Sequence, residues 1–364
     1  MRITLLGAGH IGQTIARLLS ASGDYTVTVV DRSAEALAKL AAEPVRTLQI
    51  ETSDATALLG TLRGQEAVVN ALPYHLATLA ATQARAAGCH YFDLTEDVAA
   101  TRAIKQLADG AETAFMPQCG LAPGFIGIVA HHLAKSFDVV HDVKMRVGAL
   151  PAFPTNSLKY NLTWSVDGLI NEYVHPCEAI RDGRNIELLA LEGMEHFSLD
   201  GTEYEAFNTS GGLGTLCETW AGRVQTLDYK SVRYPGHRDL MKMLLEELQL
   251  KHDTETLKDI MRRSIPSTMQ DVVLVFVTVS GMRGGSLVQE VFARKIFADR
   301  NEAAPLSAIQ ITTAAGICAA VDLFREGKLP QRGFVRQEQV ELPVFLANRF
   351  GSAYQQSRQV ESIG

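Results

Sequence analysis

The sequence predicts an α/β protein: a doubly wound parallel sheet with an inserted α+β domain built on an open, largely antiparallel sheet. The chain has 364 residues, which corresponds to about two domains of typical size. Over the first 120 residues, short apolar runs alternate with amphipathic segments, as strands joined by crossover helices require. From residue 138 to about 300, strand-like alternation of apolar and polar residues dominates instead. These changes of pattern predict a discontinuous first domain, residues 1–122 plus 305–364, and a second domain of residues 123–304.

Composition narrows the class of protein. Hydrophobic residues make up 46% of the chain and charged residues 21%, so intrinsic disorder and collagen-like repeats are excluded. The net charge is −7 and no basic run occurs, which argues against nucleic acid as a partner. The sequence has no signal-peptide pattern and no apolar stretch that suggests a membrane span. We therefore expect a cytoplasmic, soluble protein without a membrane partner.

The cysteines indicate neither disulfides nor a metal centre. There are five of them, widely scattered and without a CxxC pair. Reduced thiols and no bound metal are the expectation.

The elements of the first domain can be predicted in order from the apolar runs. Six strands are expected, at Ile3–Leu6, Val27–Val30, Arg46–Ile50, Ala67–Leu72, His90–Asp93 and Thr113–Met116. Helical patterns lie between them at Ile11–Leu19 and Ala34–Ala42 and begin near Asp54, His75 and Val98. This order makes a doubly wound sheet.

The second domain is expected to contain long strands and few helices. Strand-like patterns occur at Val139–Val147, Leu158–Trp164 and Asp271–Ser280, and helical ones at Phe125–Ala134 and Arg238–Leu248. Leu306–Phe324 is apolar and rich in small residues without alternation, which predicts a long helix that returns the chain to the first domain.

A glycine-rich motif follows the first strand directly and opens the first helix. In Gly7-Ala8-Gly9-His10-Ile11-Gly12, the first glycine permits the tight turn, the second admits a pyrophosphate, and the third allows close helix packing. The helix N-terminus adds free N–H donors and partial positive charge. Gly7, Gly9, His10, Ile11 and Gly12 are therefore candidate cofactor contacts in a Rossmann dinucleotide-binding domain.

Asp31 ends the second strand, 19 residues after Gly12. A carboxylate there accepts hydrogen bonds from ribose hydroxyls and repels a 2′-phosphate, which favours NAD over NADP. The neighbouring Arg32 weakens this preference, because a guanidinium can stack on adenine or hold a phosphate. Asp31 could instead cap the following helix, although Ser33 is better placed for that role.

Further cofactor contacts are expected at the ends of the next two strands. Ser53 and Asp54 follow the third strand, where adenine is usually held, but capping of the next helix explains them equally well. Asn70, Leu72 and Pro73 close the fourth strand, where the nicotinamide half would pass.

Four motifs resemble the saccharopine dehydrogenase-like family of amino-acid oxidoreductases, and within it the L-lysine 6-dehydrogenases. They occur in order and with compatible spacing, and the likeness runs from Met1 to about residue 324. The motifs are Cys119–Gly124 (CGLAPG), Gly148–Pro151 (GALP), Leu158–Ser165 (LKYNLTWS) and Arg233–His237 (RYPGH).

The resemblance implies a substrate pocket. Saccharopine reductases carry an aspartate where this chain has Ala122, and the departure shifts the expectation towards a smaller diamino acid. Trp164 and Ser165 match a Trp-Ser pair of the family, and Thr95 matches a hydroxyl at a strand end. Tyr160 belongs to the same motif as Trp164 and completes the candidate pocket.

A lysine 6-dehydrogenase removes hydride from the ε-carbon to NAD, and hydrolysis of the imine releases ammonia and a semialdehyde that cyclises to a piperideine carboxylate. The ammonium group must first lose a proton, so a general base is needed. Asp93 and His237 are the candidates, with Lys159 a third if burial lowers its pKa. Asp93 could instead cap a helix, and His237 could be a solvent-facing residue at a helix start.

Arg233 and Arg238 are the cations best suited to hold an α-carboxylate, because a planar guanidinium binds a carboxylate at two points. Surface ion pairs are the alternative explanation for both.

The partners expected are an amino-acid substrate and NAD. The open sheet face of the second domain also suggests a second copy of the chain in a homodimer.

Two other functions stay open. A saccharopine or carboxynorspermidine dehydrogenase would couple an amine reductively to a carbonyl compound, or cleave the product. A non-catalytic NAD-binding protein would bind the cofactor without turnover.

Overall fold

A computed structural model describes residues 1–299 and 305–355 of the chain. These residues form two compact units. The first contains Met1–Ile128 and Gln310–Ala353, and the second contains Val129–Ile309 with residues 354–355.

The strands and helices of the described residues are numbered in chain order. The strands are β1 (Arg2–Leu6), β2 (Thr26–Asp31), β3 (Arg46–Gln49), β4 (Ala67–Asn70), β5 (His90–Asp93), β6 (Ala114–Met116), β7 (Val139–Pro151), β8 (Cys177–Arg181), β9 (Arg184–Leu188), β10 (Glu195–Leu199), β11 (Thr202–Asn208), β12 (Val224–Arg233), β13 (Asp271–Arg283), β14 (Ser286–Phe297) and β15 (Gly333–Phe334). The helices are α1 (His10–Ala21), α2 (Ala34–Ala38), α3 (Ala55–Leu62), α4 (Ala77–Ala87), α5 (Val98–Ala108), α6 (Phe125–Ala134), α7 (Val166–Val174), α8 (Leu216–Trp220), α9 (His237–Lys242), α10 (Thr254–Ser264), α11 (Ala308–Arg325) and α12 (Leu342–Ala347).

The first unit is a parallel sheet with the strand order β15-β6-β5-β4-β1-β2-β3. The order reverses between β1 and β4, where Leu6 pairs with Val30 on one side and with Asn70 on the other. In open parallel sheets, ligands bind beside the carboxyl ends of the strands at this reversal. The six predicted strands are all present, and β15, which sequence analysis missed, extends the edge beside β6.

The core of the first unit shows why its strands have continuous apolar runs. Both faces of the sheet are covered, so strand residues such as Leu6, Val30 and Val68 are fully buried. The helices supply small residues at helical spacing, for example Ala77, Ala80, Ala81 and Ala84 on α4.

The second unit is built on an eight-stranded sheet with the main order β10-β11-β12-β7-β13-β14, to which β8 and β9 are attached. Adjacent strands are antiparallel except for β7 and β12, which are parallel. The sheet is therefore mixed but largely antiparallel, which confirms the predicted fold class.

The predicted strand at Leu158–Trp164 is wrong. The segment is a loop with a single bridge between Leu162 and Ser267, and Lys159 has the left-handed φ of 49°. Its alternating apolar residues instead pack into a core formed with α7, α9 and α10, in which Tyr160 is 1% exposed. Apolar alternation reports which side chains are buried, and here a loop, not a strand, buries them.

The long C-terminal helix is present as α11. By length and mean hydropathy it meets the criterion for a membrane span, but 83% of that window is buried inside the protein, as in the core helix of a folded domain. Gly316 explains part of this packing, since a Cβ there would lie 2.7 Å from the carbonyl oxygen of Cys119.

Candidate functional site

The three glycines of the Gly7–Gly12 loop have different physical roles. Gly7 has a φ of 98°, and a Cβ at this position would lie 2.7 Å from the carbonyl oxygen of Ala71 at the end of β4. A Cβ at Gly12 would lie 2.0 Å from the carbonyl oxygen of Gly7, so α1 can approach the loop only with glycine there. Among the described residues, no atom lies within 4 Å of a hypothetical Cβ at Gly9, which leaves open space above the loop.

The N-terminus of α1 is suited to bind an anion. Gly9 is its N-cap residue and no side chain caps the helix, so the N–H groups of the first turn lack a side-chain acceptor. His10 is exposed and Ile11 half-buried at this turn. Free donors, the positive end of the helix dipole and the open space at Gly9 together fit a dinucleotide pyrophosphate.

Asp31 connects the loop to the adjacent strand. Its Oδ2 accepts a hydrogen bond from the N–H of Ala8 at 2.6 Å, and its Oδ1 accepts one from Ser33 at 2.8 Å. Ser33 itself caps α2 by accepting from Ala36, so Asp31 is not the cap. The half-buried carboxylate keeps acceptor capacity for ribose hydroxyls, and the Arg32 side chain beside it is exposed.

The predicted adenine contacts have local structural roles. Asp54 caps α3 by accepting from the N–H groups of Thr56 and Ala57. The N–H and hydroxyl of exposed Ser53 both donate to Glu51.

Asn70 shapes the loop that follows β4. Its Oδ1 accepts from the N–H of Leu72 at 3.1 Å, and its Nδ2 donates to the hydroxyl of Tyr91 at 3.0 Å. Leu72 is half-buried and Pro73 exposed, so their backbone lies where a cofactor at this edge of the sheet would pass.

Asp93 is fully buried at the end of β5, directly beside Asn70. One carboxylate oxygen accepts from the N–H groups of Gln118 at 2.9 Å and Thr95 at 3.0 Å, and the other accepts from Tyr91 at 2.9 Å. Burial raises the pKa of Asp93 to about 6, while these hydrogen bonds act in the opposite direction. Three donors already occupy the carboxylate, so its evident task is to hold the ends of β5 and β6 together.

The segment after β5 contains three more polar side chains. Thr95 is buried and its hydroxyl accepts from the N–H of Asp97, while Asp97 caps α5 through Ala100. Glu96 lies between them and is half-buried. In the part of the chain that the structure describes, its carboxylate has no side-chain partner, and only its own N–H acts on it as a donor.

Two of the predicted substrate residues of the second unit, Arg233 and Tyr160, form a buried aromatic and cationic cluster with His237 and Tyr173. Arg233 ends β12 and His237 begins α9. The Arg233 guanidinium lies over the rings of Tyr160 and Tyr173, at 5.3 and 5.8 Å from their centroids. The ring of His237 contacts both tyrosines as well, at centroid distances of 5.3 and 6.0 Å.

A hydrogen-bonded chain fixes the protonation of His237. Its Nδ1 lies 2.9 Å from the carbonyl oxygen of Leu158, which can only accept, so Nδ1 carries the proton. Its Nε2 accepts from the hydroxyl of Tyr173 at 3.1 Å, and that hydroxyl accepts from Nε of Arg233 at 3.0 Å. Burial and the nearby charge of Arg233 lower the pKa of His237 to about 3. His237 is therefore a neutral positioning residue with both nitrogens engaged.

Arg233 differs from the other buried basic side chains of the second unit. Arg146 pairs with Asp228 and Glu195, and Lys230 pairs with Glu195 at 2.9 Å. Among the described residues, Arg233 has no carboxylate within ion-pair distance, and its Nη2 has no hydrogen-bond partner. A buried guanidinium without a counter-ion is costly unless an anion binds to it.

The other three predicted substrate residues are placed differently. Trp164 is half-buried at the edge of the aromatic core. Exposed Ser165 caps α7 by accepting from Gly168 at 3.2 Å. The Arg238 guanidinium pairs with exposed Asp239 at 3.2 Å, which matches the surface ion-pair alternative.

Tyr173 and Glu96 were not among the residues predicted from the sequence. Tyr173 belongs to no motif, and only the folded structure brings it to Arg233. Glu96 did have a signal: two acidic residues, Glu96 and Asp97, follow β5 closely, whereas capping of α5 requires only Asp97.

The described residues contain no group of three or more His, Cys, Asp or Glu side chains that could hold a metal ion. Cys119 is buried and donates to the carbonyl oxygen of Met116, and burial raises the pKa of its thiol.

Comparisons with known proteins cover both units. The family model described as saccharopine dehydrogenase NADP binding domain matches residues 3–115, and the model described as saccharopine dehydrogenase C-terminal domain matches residues 120–348. The saccharopine dehydrogenase [NADP(+), L-glutamate-forming] of Saccharomyces cerevisiae is 24% identical over 271 residues. That match covers 69% of this chain and 59% of the yeast protein. The solved apo structure of the L-Glu-forming saccharopine dehydrogenase from the same yeast has a TM-score of 0.75 at 16% identity, and the likeness covers 94% of this chain and 96% of that one.

Proposed function

Because the chain belongs to the saccharopine dehydrogenase family, we propose that it is an amino-acid dehydrogenase that oxidises the ε-amine of L-lysine with NAD. The products are the semialdehyde, which cyclises to a piperideine carboxylate, and ammonia. NAD, when bound, accepts the hydride from the ε-carbon.

The observation that carries this proposal is the buried, unpaired guanidinium of Arg233. Its free Nη2 and missing counter-ion suit one carboxylate of an amino acid, and the charge of Glu172 acts on it only from beyond ion-pair distance. Tyr173 and His237 hold the guanidinium in place, and the rings of Tyr160 and Tyr173 contact it. In the described part of the second unit, the other two buried basic side chains, Arg146 and Lys230, pair with acidic residues. One unpaired cation favours a substrate with one carboxylate over saccharopine, which has three.

The preference for NAD rests on Asp31. A 2′-phosphate on the adenosine ribose would stand beside this carboxylate, whereas two ribose hydroxyls can donate to it. The carboxylate is held in position by the N–H groups of Ala8 and Ser33, so it cannot turn away at low cost.

The chemistry requires two proton transfers from the chain's own groups or from solvent. The ammonium form of the amine must be deprotonated before hydride leaves, and water must later be activated to attack the imine. His237 does not serve as that base, since both of its nitrogens are engaged and its pKa is lowered to about 3.

A second candidate function is reductive condensation or cleavage of the saccharopine type. The observation that favours it is the match of both family models to this chain, together with the similarity to the yeast saccharopine dehydrogenase.

One assay separates the candidates. Purified protein is incubated with NAD and L-lysine while reduced cofactor is followed by absorbance, with NADP, L-ornithine and saccharopine tested in parallel. Turnover of lysine with NAD, with one ammonia released per reduced cofactor, is the expected result. Turnover of saccharopine but not of lysine would support the second candidate. Cofactor binding without turnover of any amine would mean that the protein is not a dehydrogenase.

A further inference from the structure

The reacting half of the cofactor can be placed at one side of the first sheet. Asp31 at the end of β2 is the group suited to the adenosine ribose, and the pyrophosphate belongs at the N-terminus of α1. A dinucleotide that crosses the strand reversal between β1 and β4 therefore carries its nicotinamide towards β4, β5 and β6. In the proposed reaction, hydride transfer would take place on that side.

The loops at that side are in direct contact. Gly7 packs on the backbone of Ala71 after β4, and Asn70 pairs in register with Asp93 of β5. On the far side, Gly120 lies against Leu94, because a Cβ at Gly120 would be 3.5 Å from the Leu94 side chain. The segment after β5 is thus flanked by the β4 loop and by the turn after β6.

Three acidic side chains lie at the end of β5 or shortly after it, and two of them already have hydrogen-bonding roles within the protein. Asp93 accepts three hydrogen bonds within the protein, and Asp97 caps α5. Glu96 is half-buried and, among the residues that the structure describes, has no cation or side-chain donor beside it. The charged groups that act on it are Asp97 and Asp93, both acidic. A carboxylate in such surroundings is suited to a cationic ligand.

We propose that Glu96 binds the protonated reacting amine of the substrate and accepts its proton. This inference rests on the proposed function. The N–H bond of the ammonium group breaks, the proton passes to the Glu96 carboxylate, and the neutral amine keeps the electron pair. The lone pair on nitrogen then forms the C=N bond as hydride leaves the adjacent carbon for the oxidised nicotinamide, so that the substrate loses two electrons and the cofactor gains them.

The protonation of Glu96 agrees with this role. Burial raises its pKa to about 7, with additional contributions from the charges of Asp97 and Asp93. A base whose pKa lies near the working pH can both take and return a proton. His75 in the loop after β4 is the rival group at this edge, but its ring is exposed to solvent.

The first test measures binding without turnover. The Kd of L-lysine for the complex with NADH, which cannot accept hydride, is measured by calorimetry between pH 5.5 and 8.5. We expect binding by the wild-type protein to tighten as Glu96 ionises over this range, and binding by Glu96→Gln to be at least 10-fold weaker and independent of pH. Glu96→Asp should keep the pH dependence, which guards against a simple loss of folding. Glu112→Gln, in an exposed ion pair with Arg332, is the matched control and should behave as wild type.

The second test measures turnover. Glu96→Gln should lower kcat/KM for lysine by about 100-fold or more, in the range of general-base catalysis, and should abolish the acid limb of its pH profile. Glu96→Gln with wild-type lysine affinity and an intact acid limb would overturn the proposal, as would loss of that limb in His75→Asn alone.

Failure of the proposed function would give a different result: the wild-type complex would bind lysine with the predicted pH dependence but turn over none of the amines. Absence of lysine binding to the wild-type complex would overturn both.

Discussion

At the scale of single residues, the proposed binding of the substrate carboxylate by Arg233 can be tested by substitution. Replacing Arg233 with methionine removes its hydrogen bonds to the Tyr173 hydroxyl and to the carbonyl oxygen of Val232, so we expect the free energy of unfolding of Arg233→Met to fall by about 1–3 kcal/mol. The same change should raise KM for L-lysine at least 10-fold, since a charge-assisted hydrogen bond contributes about 1.5–3 kcal/mol. Kinetics with lysine and with cadaverine, which lacks the carboxylate, test this prediction.

The comparison with cadaverine isolates the carboxylate. Turnover of cadaverine should not change in Arg233→Met, because this substrate has no group for the guanidinium to bind. Arg184→Met, at an exposed position of β9, is the matched control and should change neither parameter. An equal loss for lysine and cadaverine would show that Arg233 does not bind the carboxylate.

A second prediction at this scale concerns Asp93. Asp93→Ala leaves the buried N–H groups of Gln118 and Thr95 without an acceptor, and each such loss costs about 1–3 kcal/mol. Asp93→Asn keeps an acceptor oxygen for both and can donate to Tyr91, so it should lose much less stability. Urea unfolding of the two variants at pH 7 measures the difference. Equal stability of Asp93→Ala and wild type would contradict the assigned role.

The pH dependence of stability provides a separate check on Asp93. Its folded-state pKa of about 6 lies above the value of about 4 for an unfolded aspartate, so the folded state binds more protons between those values. The wild-type protein should therefore lose stability relative to Asp93→Asn as the pH rises from about 4 to about 6. A difference that stays constant over this range would mean that Asp93 titrates normally.

At the scale of the element, two glycines of the Gly7–Gly12 loop allow effects on protein stability and on NAD binding to be tested separately. Gly12→Ala forces a Cβ to within 2.0 Å of the Gly7 carbonyl oxygen, so we expect α1 to shift and the protein to lose stability. Gly9→Ala meets no atom, so its unfolding midpoint should stay near wild type while NAD binding weakens, because the methyl group occupies space that the pyrophosphate needs. Thermal unfolding and NAD titration of both variants give the test.

The control for these glycines lies in α3. Gly60 is exposed within the helix and a Cβ there meets no atom, so Gly60→Ala should stabilise the protein by about 0.5–1 kcal/mol and leave NAD binding unchanged. If Gly9→Ala bound NAD as tightly as Gly60→Ala does, the pyrophosphate could not lie at the start of α1.

The elements also show the limit of pattern analysis. The short apolar runs of β1, β2, β4 and β5 predict the first sheet well, because central strands of a parallel sheet are buried on both faces. The loop at 158–164 has the same kind of alternation without a strand, since its side chains pack against helices distant in the sequence. β15 has only two residues, too few for any periodicity.

At the scale of the whole molecule, cofactor binding should stabilise the folded state selectively. NAD at 100 times its Kd contributes about 2.7 kcal/mol of stability by mass action. We expect NAD to raise the melting temperature more than an equal concentration of NADP, because the 2′-phosphate would stand beside Asp31. Differential scanning fluorimetry with both nucleotides measures this preference.

The same measurement on Asp31→Asn tests the cause. Loss of the negative charge should reduce the difference between the NAD and NADP shifts, and comparison of the two shifts within one variant cancels any change in its own stability. A larger shift with NADP than with NAD in the wild-type protein would show that Arg32, not Asp31, decides cofactor choice.

Features that depend only on neighbouring residues could be predicted from the amino-acid sequence. The glycine loop, the acidic end of β2 and the apolar strands all lie within short segments, where turn geometry, helix dipole and burial act locally. The four motifs likewise indicated the family.

Which polar groups are already engaged within the protein could be seen only after the chain was folded. Asp93 meets Gln118 from 25 residues away, and His237 meets Leu158 from 79 residues away, so both candidate bases are engaged in hydrogen bonds within the protein. In the described structure, neither Glu96 nor Arg233 has a salt-bridge partner of opposite charge. Whether a buried charge has a partner depends on contacts between distant segments, and a residue's own sequence neighbourhood does not contain that information.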